Sequence, residues 1–110
     1  MRRIDNITIT ERALPRLRSE LARVRPKTGD VVAMVYLSRF VNRDGSVVEG
    51  FSPGYSAGPV QGGHFSDMWA LAHLPDGTEF PFMPKFEWQP DASYVVDLAS
   101  NYTFSIGPAA

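Results

Sequence analysis

Cysteine is absent from all 110 residues. That excludes disulfides, thiolate nucleophiles, zinc-thiolate sites and cysteine-ligated iron-sulfur clusters together. Histidine is scarce, with His64 and His73 the only two, so imidazole chemistry has few places to reside. No apolar run approaches the roughly 20 residues of a transmembrane helix. Beyond Met1-Arg2-Arg3 an alternating pattern replaces the apolar run of a secretion signal, and the expectation is a soluble, cytoplasmic protein. Net charge is −1, too small for a field of one sign over the whole molecule.

What is present fits one folded domain. Apolar residues make up 44%, charged residues 21% and aromatics 12%, ordinary globular values with a generous supply of large rings for a small core. The charge is unevenly placed. Residues 1–27 hold eight Lys/Arg against three Asp/Glu, or +5, and residues 28–110 hold three against nine, or −6. Such asymmetry marks a surface for an acidic partner or nucleic acid, pairs a basic helix with an acidic sheet rim, or assists self-association into a homo-oligomer.

Along the chain, residues 4–10 alternate as a strand. A helix follows, with Thr10 as N-cap and Pro15 one turn in. At 100° per residue Leu14, Leu17, Leu21 and Val24 share one face, while Arg12, Arg16 and Arg23 fall opposite and face water. Pro26 stops the helix. Residues 31–37 are apolar on both faces, as in a central strand. Asp44-Gly45 predicts a hairpin into residues 46–49. Residues 67–74 read as a strand turned by Pro75-Asp76-Gly77-Thr78. Residues 79–84 carry two prolines and belong at a sheet edge. Residues 94–98 and 102–106 close the chain as strands, and 107–110 fray.

The expected architecture is α+β: a mostly antiparallel sheet or small sandwich of about six strands with one N-terminal amphipathic helix. Leu14, Leu17, Leu21, Val31, Ala33, Val35, Trp69, Leu71, Val95 and Phe104 are the expected core.

Between the two strand-rich halves lies a glycine-rich stretch, residues 50–63, with five glycines and two prolines. It reads as a loop whose main chain a partner can approach. Phe51, Ser52, Gly54, Tyr55, Gly58, Gly62, Gly63 and His64 are its candidate ligand or partner contacts.

Two segments resemble a known family. Ile7-Thr8-Ile9-Thr10-Glu11-Arg12-Ala13-Leu14, a strand entering an amphipathic helix, resembles the start of the HesB-like domain of A-type iron-sulfur carriers. Gly45-Ser46-Val47-Val48-Glu49-Gly50-Phe51-Ser52-Pro53-Gly54 is similar to the Gly-Phe-Ser-x-Gly segment of cysteine-poor members. Those carriers use three cysteines, and this chain has none of them. Tyr102-Thr103-Phe104-Ser105-Ile106 stands where the C-terminal Cys-x-Cys belongs. The resemblance therefore implies a fold without the cluster-carrying function.

Several constellations bear on chemistry. His64-x-x-Asp67 and His73-x-x-Asp76 supply ligands of the kind zinc or iron takes, and a metal site would use His64, Asp67 and His73. On an extended strand, however, His64 and Asp76 lie roughly 25–35 Å apart at about 3.3 Å per residue. His73 is better placed as a structural neighbour of Thr78 or Glu79 across the turn. His64, beside two glycines, is the better functional histidine.

Ser52, Ser56 and Ser66 lie near His64 in sequence, and Gly54-Tyr55-Ser56-Ala57-Gly58 spells Gly-x-Ser-x-Gly. A nucleophile elbow also needs a buried parallel strand before it and a helix after it, in a larger sheet than this. The stretch lacks the Gly-Lys-Ser/Thr ending of a phosphate loop. The Arg12, Arg16 and Arg23 stripe could contact phosphates, with Trp69, Trp88 or Phe86 stacking bases.

The expected function is thus a non-catalytic binding domain of HesB-like type, without cofactor, engaging a protein or small ligand through residues 50–64. The alternatives are an enzyme or metal protein centred on His64, and a nucleic-acid binder using the basic helix.

Overall fold

The first nine residues supply two short strands, β1 (Arg2–Arg3) and β2 (Ile7–Ile9), which take the opposite edges of one sheet. The remaining elements are α1 (Leu14–Arg23), β3 (Asp30–Leu37), β4 (Gly54–Gln61), a 3₁₀ turn (Gly62–His64), β5 (Ala70–His73), β6 (Glu79–Phe82), β7 (Tyr94–Leu98) and β8 (Phe104–Pro108). The computed structural model describes residues 1–87, 89 and 91–109, with His64 through its backbone alone. Trp88, Pro90 and Ala110 lie outside the described residues, so base stacking by Trp88 and fraying at Ala110 do too.

The strand order is β1-β5-β6-β3-β4-β8-β7-β2. Three pairings are parallel (β1 with β5, β2 with β7, β3 with β6) and four are antiparallel. This mostly-sheet, curled half-barrel with one short helix corrects the expected α+β fold of about six antiparallel strands. The reason lies in the N-terminal segment. Its edge strands are joined only by residues 4–6, so both edges must come within reach of one short tether, and the sheet curls. The tether is hydrogen-bonded at both ends: Ile4 N donates to Leu71 O at 2.9 Å, and Tyr94 N donates to Asn6 O at 2.8 Å. Ile4 fills the gap and is 2% exposed.

The segment expected to be a loop is largely strand. β4 pairs antiparallel with β3 at all eight positions, from Asp30↔Gln61 to Leu37↔Gly54. Glycine and proline disfavour strands, yet the apolar β3 needs a partner for its backbone, and tertiary pairing overrides propensity. Pro59 sits opposite Val32, in the part of β4 that has no register pair to β8, where its missing N–H leaves no ladder bond unmade.

β6 likewise lies inside the sheet instead of at the expected edge. Its ladder to β3 is a single pair, Met34↔Phe82, which leaves Pro81 little to donate to. The Asp44-Gly45 hairpin forms off the sheet, joined by one bridge, Val41↔Val47, so residues 46–49 add no strand. Residues 66–69 form a turn ahead of β5. At the C-terminus, where fraying is expected, β8 continues to Pro108, and Ala109 N donates to Ser93 O at 2.8 Å.

Thr10 starts a turn that leads into the helix instead of capping it: its Oγ1 accepts from Ala13 N at 3.3 Å and its carbonyl from Leu14 N at 3.0 Å, while Ala13, which has no side-chain cap, is the N-cap of α1. Pro15 falls in the first turn, where no intrahelical donor is required. Leu17 is buried, and Leu14 and Leu21 pack beside it. The core face of two strands is one residue out of step with expectation. Ala70, Ala72 and Leu74 are buried instead of Trp69 and Leu71, and Tyr94 and Val96 instead of Val95. Val31 is exposed. Among the described residues no helix is long and apolar enough to cross a membrane.

Candidate binding cleft

A cleft of about 260 Å³ opens between α1 and the end of the sheet that joins β3, β4, β7 and β8. The helix contributes Arg16, Glu20 and Arg23 from its solvent side. Leu37 and Phe40 come from the end of β3 and the residues beyond it, Ser56 from β4, and Leu98 with residues 100–104 from the β7–β8 turn. Phe40 and Tyr102 are 44% and 45% exposed, with ring centroids 5.9 Å apart. The Phe51 ring centroid lies 6.1 Å from that of Phe40. Large rings left this open toward a concavity are a ready surface for an apolar ligand.

The walls are set by local bonds. Thr103, buried in spite of its hydroxyl, donates to Ser52 O at 2.7 Å and lies 2.8 Å from Ser100 Oγ. Ala99 N donates to Thr103 O at 3.0 Å, closing the turn that presents Asn101 and Tyr102. A neighbouring, more polar cavity of about 390 Å³ shares Leu98, Ser100 and Asn101 with the cleft and is bordered by Arg12, Gly50 and Ser52.

The three arginines expected on the helix have different surroundings, and Arg12 falls in the turn ahead of α1. Arg12 makes a two-pronged contact with Asp97, Nε to Oδ1 at 2.8 Å and Nη2 to Oδ2 at 2.9 Å. Asp97 Oδ1 also accepts from Thr10 Oγ1 at 2.7 Å and from Leu98 N at 2.8 Å. Arg12 first, then Thr10 and the Leu98 amide, hold this carboxyl well below the usual carboxylate range. Arg23 pairs with Glu20 at 2.6 Å. Arg16 donates to the carbonyl of Asn101 and, among the described residues, makes no ion pair.

Three of the four ion pairs described, Arg3–Glu79, Arg12–Asp97 and Arg18–Asp76, join the basic N-terminal segment to the acidic remainder. About half of the charge asymmetry among the described residues is therefore internal pairing between the N-terminal segment and the rest of the sheet.

The glycine-rich residues divide into two groups. Phe51, Ser52 and Gly54 lie at the cleft end of β4, while Gly62, Gly63 and the His64 backbone form the turn at its far end, roughly 23 Å away at about 3.3 Å per residue. Tyr55 is core, 2% exposed, and donates to Met83 O at 2.7 Å. Burial pushes its hydroxyl up to about 12. Gly58 faces Ala33 across the β3–β4 ladder. They do not form one loop site.

The imidazole of His64 lies outside the described residues. Asp67 is exposed, and His73 sits opposite Glu79 in the β5–β6 ladder with Nδ1 3.2 Å from Leu74 O. Glu79 is itself engaged by Arg3 at 2.7 Å. Among the described residues no three His, Asp or Glu side chains gather as metal ligands. Trp69 packs edge-on against Phe65 at 4.8 Å, and Phe86 stacks on Tyr94 at 5.0 Å.

Phe40, Asn101 and Tyr102, which complete the cleft, carry no local signal in the sequence. Phe40 lies 61 and 62 positions before Asn101 and Tyr102, and the β3–β4 and β4–β8 pairings bring them together. No family model, curated protein or solved structure matches this chain.

Proposed function

We propose that this chain is a non-catalytic binding domain whose ligand occupies the cleft beneath α1. The observation that carries the reading is the meeting of two exposed rings, Phe40 and Tyr102, with an arginine that has no ion-pair partner among the described residues, around one concavity. Of the other polar groups there, Glu20 is engaged by Arg23, and Ser100 and Thr103 by each other. Such groups position a ligand more readily than they activate a nucleophile. A HesB-like kinship is part of the same proposal and rests on residues 7–14 and 45–54 alone.

The test is a small-fragment screen read by amide chemical shifts. Fragments should perturb residues 37, 40, 56 and 98–104 together, and Ser56→Leu, which fills the cleft from β4, should remove those shifts while the melting transition persists. Fragments that gather elsewhere, or that bind the Ser56→Leu protein equally well, contradict the reading. The nucleic-acid alternative has less support, because Arg12 and Arg23 would have to leave Asp97 and Glu20 to meet phosphates.

A further inference from the structure

Resting on that reading, we propose that the ligand is a small organic acid: a carboxylate held by Arg16, carried on a flat apolar body that lies against Phe40 and Tyr102. The charge balance of the cleft asks for one negative charge. Among its charged side chains Arg23 and Glu20 neutralise each other at 2.6 Å, which leaves Arg16 uncompensated.

Arg16 is also pre-positioned. Its Nη2 donates to the carbonyl of Asn101, a neutral acceptor in the turn that forms the cleft wall. A guanidinium has five N–H donors in a planar fork, so this contact fixes the group without exhausting it. A carboxylate meeting the remaining donors makes charge-assisted bonds stronger than those to a neutral acceptor.

The apolar side of the ligand follows from the walls. Leu37, Phe40, Tyr102 and Phe104 give a surface on which a ring or short hydrocarbon can lie, and the two exposed rings allow edge or face contact. Size limits the body. About 260 Å³ falls below the roughly 300–1,000 Å³ of sites that enclose drug-sized ligands, so one ring with a short acid arm suits it better than a nucleotide. The source of such an acid is either a free small molecule or the C-terminal residue of a polypeptide with an aromatic side chain, since both present a ring beside a carboxylate.

The experiment titrates the protein, followed by amide shifts, with 3-phenylpropionate, with its neutral amide, and with the peptide acetyl-Gly-Gly-Phe as free acid and as amide. The acid should bind in the cleft at least tenfold more tightly than the amide, the order expected when a charge-assisted bond is lost. Arg16→Gln should remove that preference, Arg16→Lys should restore part of it, and Arg18→Gln, which lies off the cleft, should leave it unchanged.

Tighter binding of the peptide acid than of 3-phenylpropionate supports the proposal with a chain terminus as source. The reverse order supports it with a free acid. Equal binding of acid and amide in the cleft overturns the acid specificity and leaves the cleft reading standing. Binding of none of the probes there, together with an empty fragment screen, overturns both. Arg16 is exposed, so its variants should fold, and a melting curve for each confirms it.

Discussion

Gly54 is the residue whose role changes most between sequence and structure. In sequence it belongs to a flexible stretch that a partner could approach. In the fold the approaching backbone is the protein's own: a Cβ on Gly54 would stand 2.6 Å from the Phe104 carbonyl oxygen and 2.9 Å from the Thr103 Cβ. The first of these is main chain and cannot swing aside. Gly54→Ala should therefore lower stability by about 1–3 kcal/mol, the usual cost of overpacking, read as a lower denaturant midpoint. Gly63→Ala is the matched control, because a Cβ there meets nothing within 4 Å. An unchanged midpoint for Gly54→Ala would show that β8 can retreat. The same single-residue view explains Tyr55, whose hydroxyl is committed to Met83 O and whose ring packs edge-on to Phe82 at 5.8 Å. It belongs to the core and leaves the candidate ligand contacts.

At the scale of elements, the turn that leads into α1 is latched to the sheet by Asp97 of β7, which receives Arg12 and the Thr10 hydroxyl. The folded carboxyl titrates well below its value in the unfolded chain, near 3.9. The stability it contributes is complete above that unfolded value and is lost as pH falls toward the folded one. Asp97→Asn should melt at a lower temperature than the parent at neutral pH, and the gap should close as pH is lowered below about 4. A gap independent of pH would assign the effect to packing instead of charge.

Elements also show what the sequence could disclose. The helix stripe of Leu14, Leu17 and Leu21 and the double-faced run of β3 were legible, because each is a local pattern with its own period. The inward face of β5 and β7 was not. Both strands are apolar on either face, so alternation carries no parity, and Trp69 and Val95 read as well as the buried Ala70 and Val96. β4 was hidden by its glycines and prolines, since its strand character comes from β3. The arginines of the cleft were visible as a stripe, while Phe40 and Tyr102 meet only through long-range pairing.

The whole molecule depends on its N-terminal segment in a way no local pattern reveals. An open sheet of eight strands has two exposed edges, and such edges invite pairing with other chains. Here both edges are supplied by residues 2–9, and Ile4 sits between them in the core. One side chain thus anchors two distant parts of the strand order. Ile4→Ala should cost about 2–5 kcal/mol, as large-to-small core changes do.

Its pattern in hydrogen exchange is the more telling measurement. The amide at position 4 reports the β1–β5 edge through Leu71 O, and those of Thr10 and Tyr94 report the β2–β7 edge through Val96 O and Asn6 O. If the segment closes the half-barrel as one unit, all three amides should lose protection together in Ile4→Ala, by a similar factor, while β3 and β4 exchange later. Loss of protection at the β5 side alone would mean that the edges are fastened independently. The curl of the sheet would then have to come from the twist of its strands instead of from the tether.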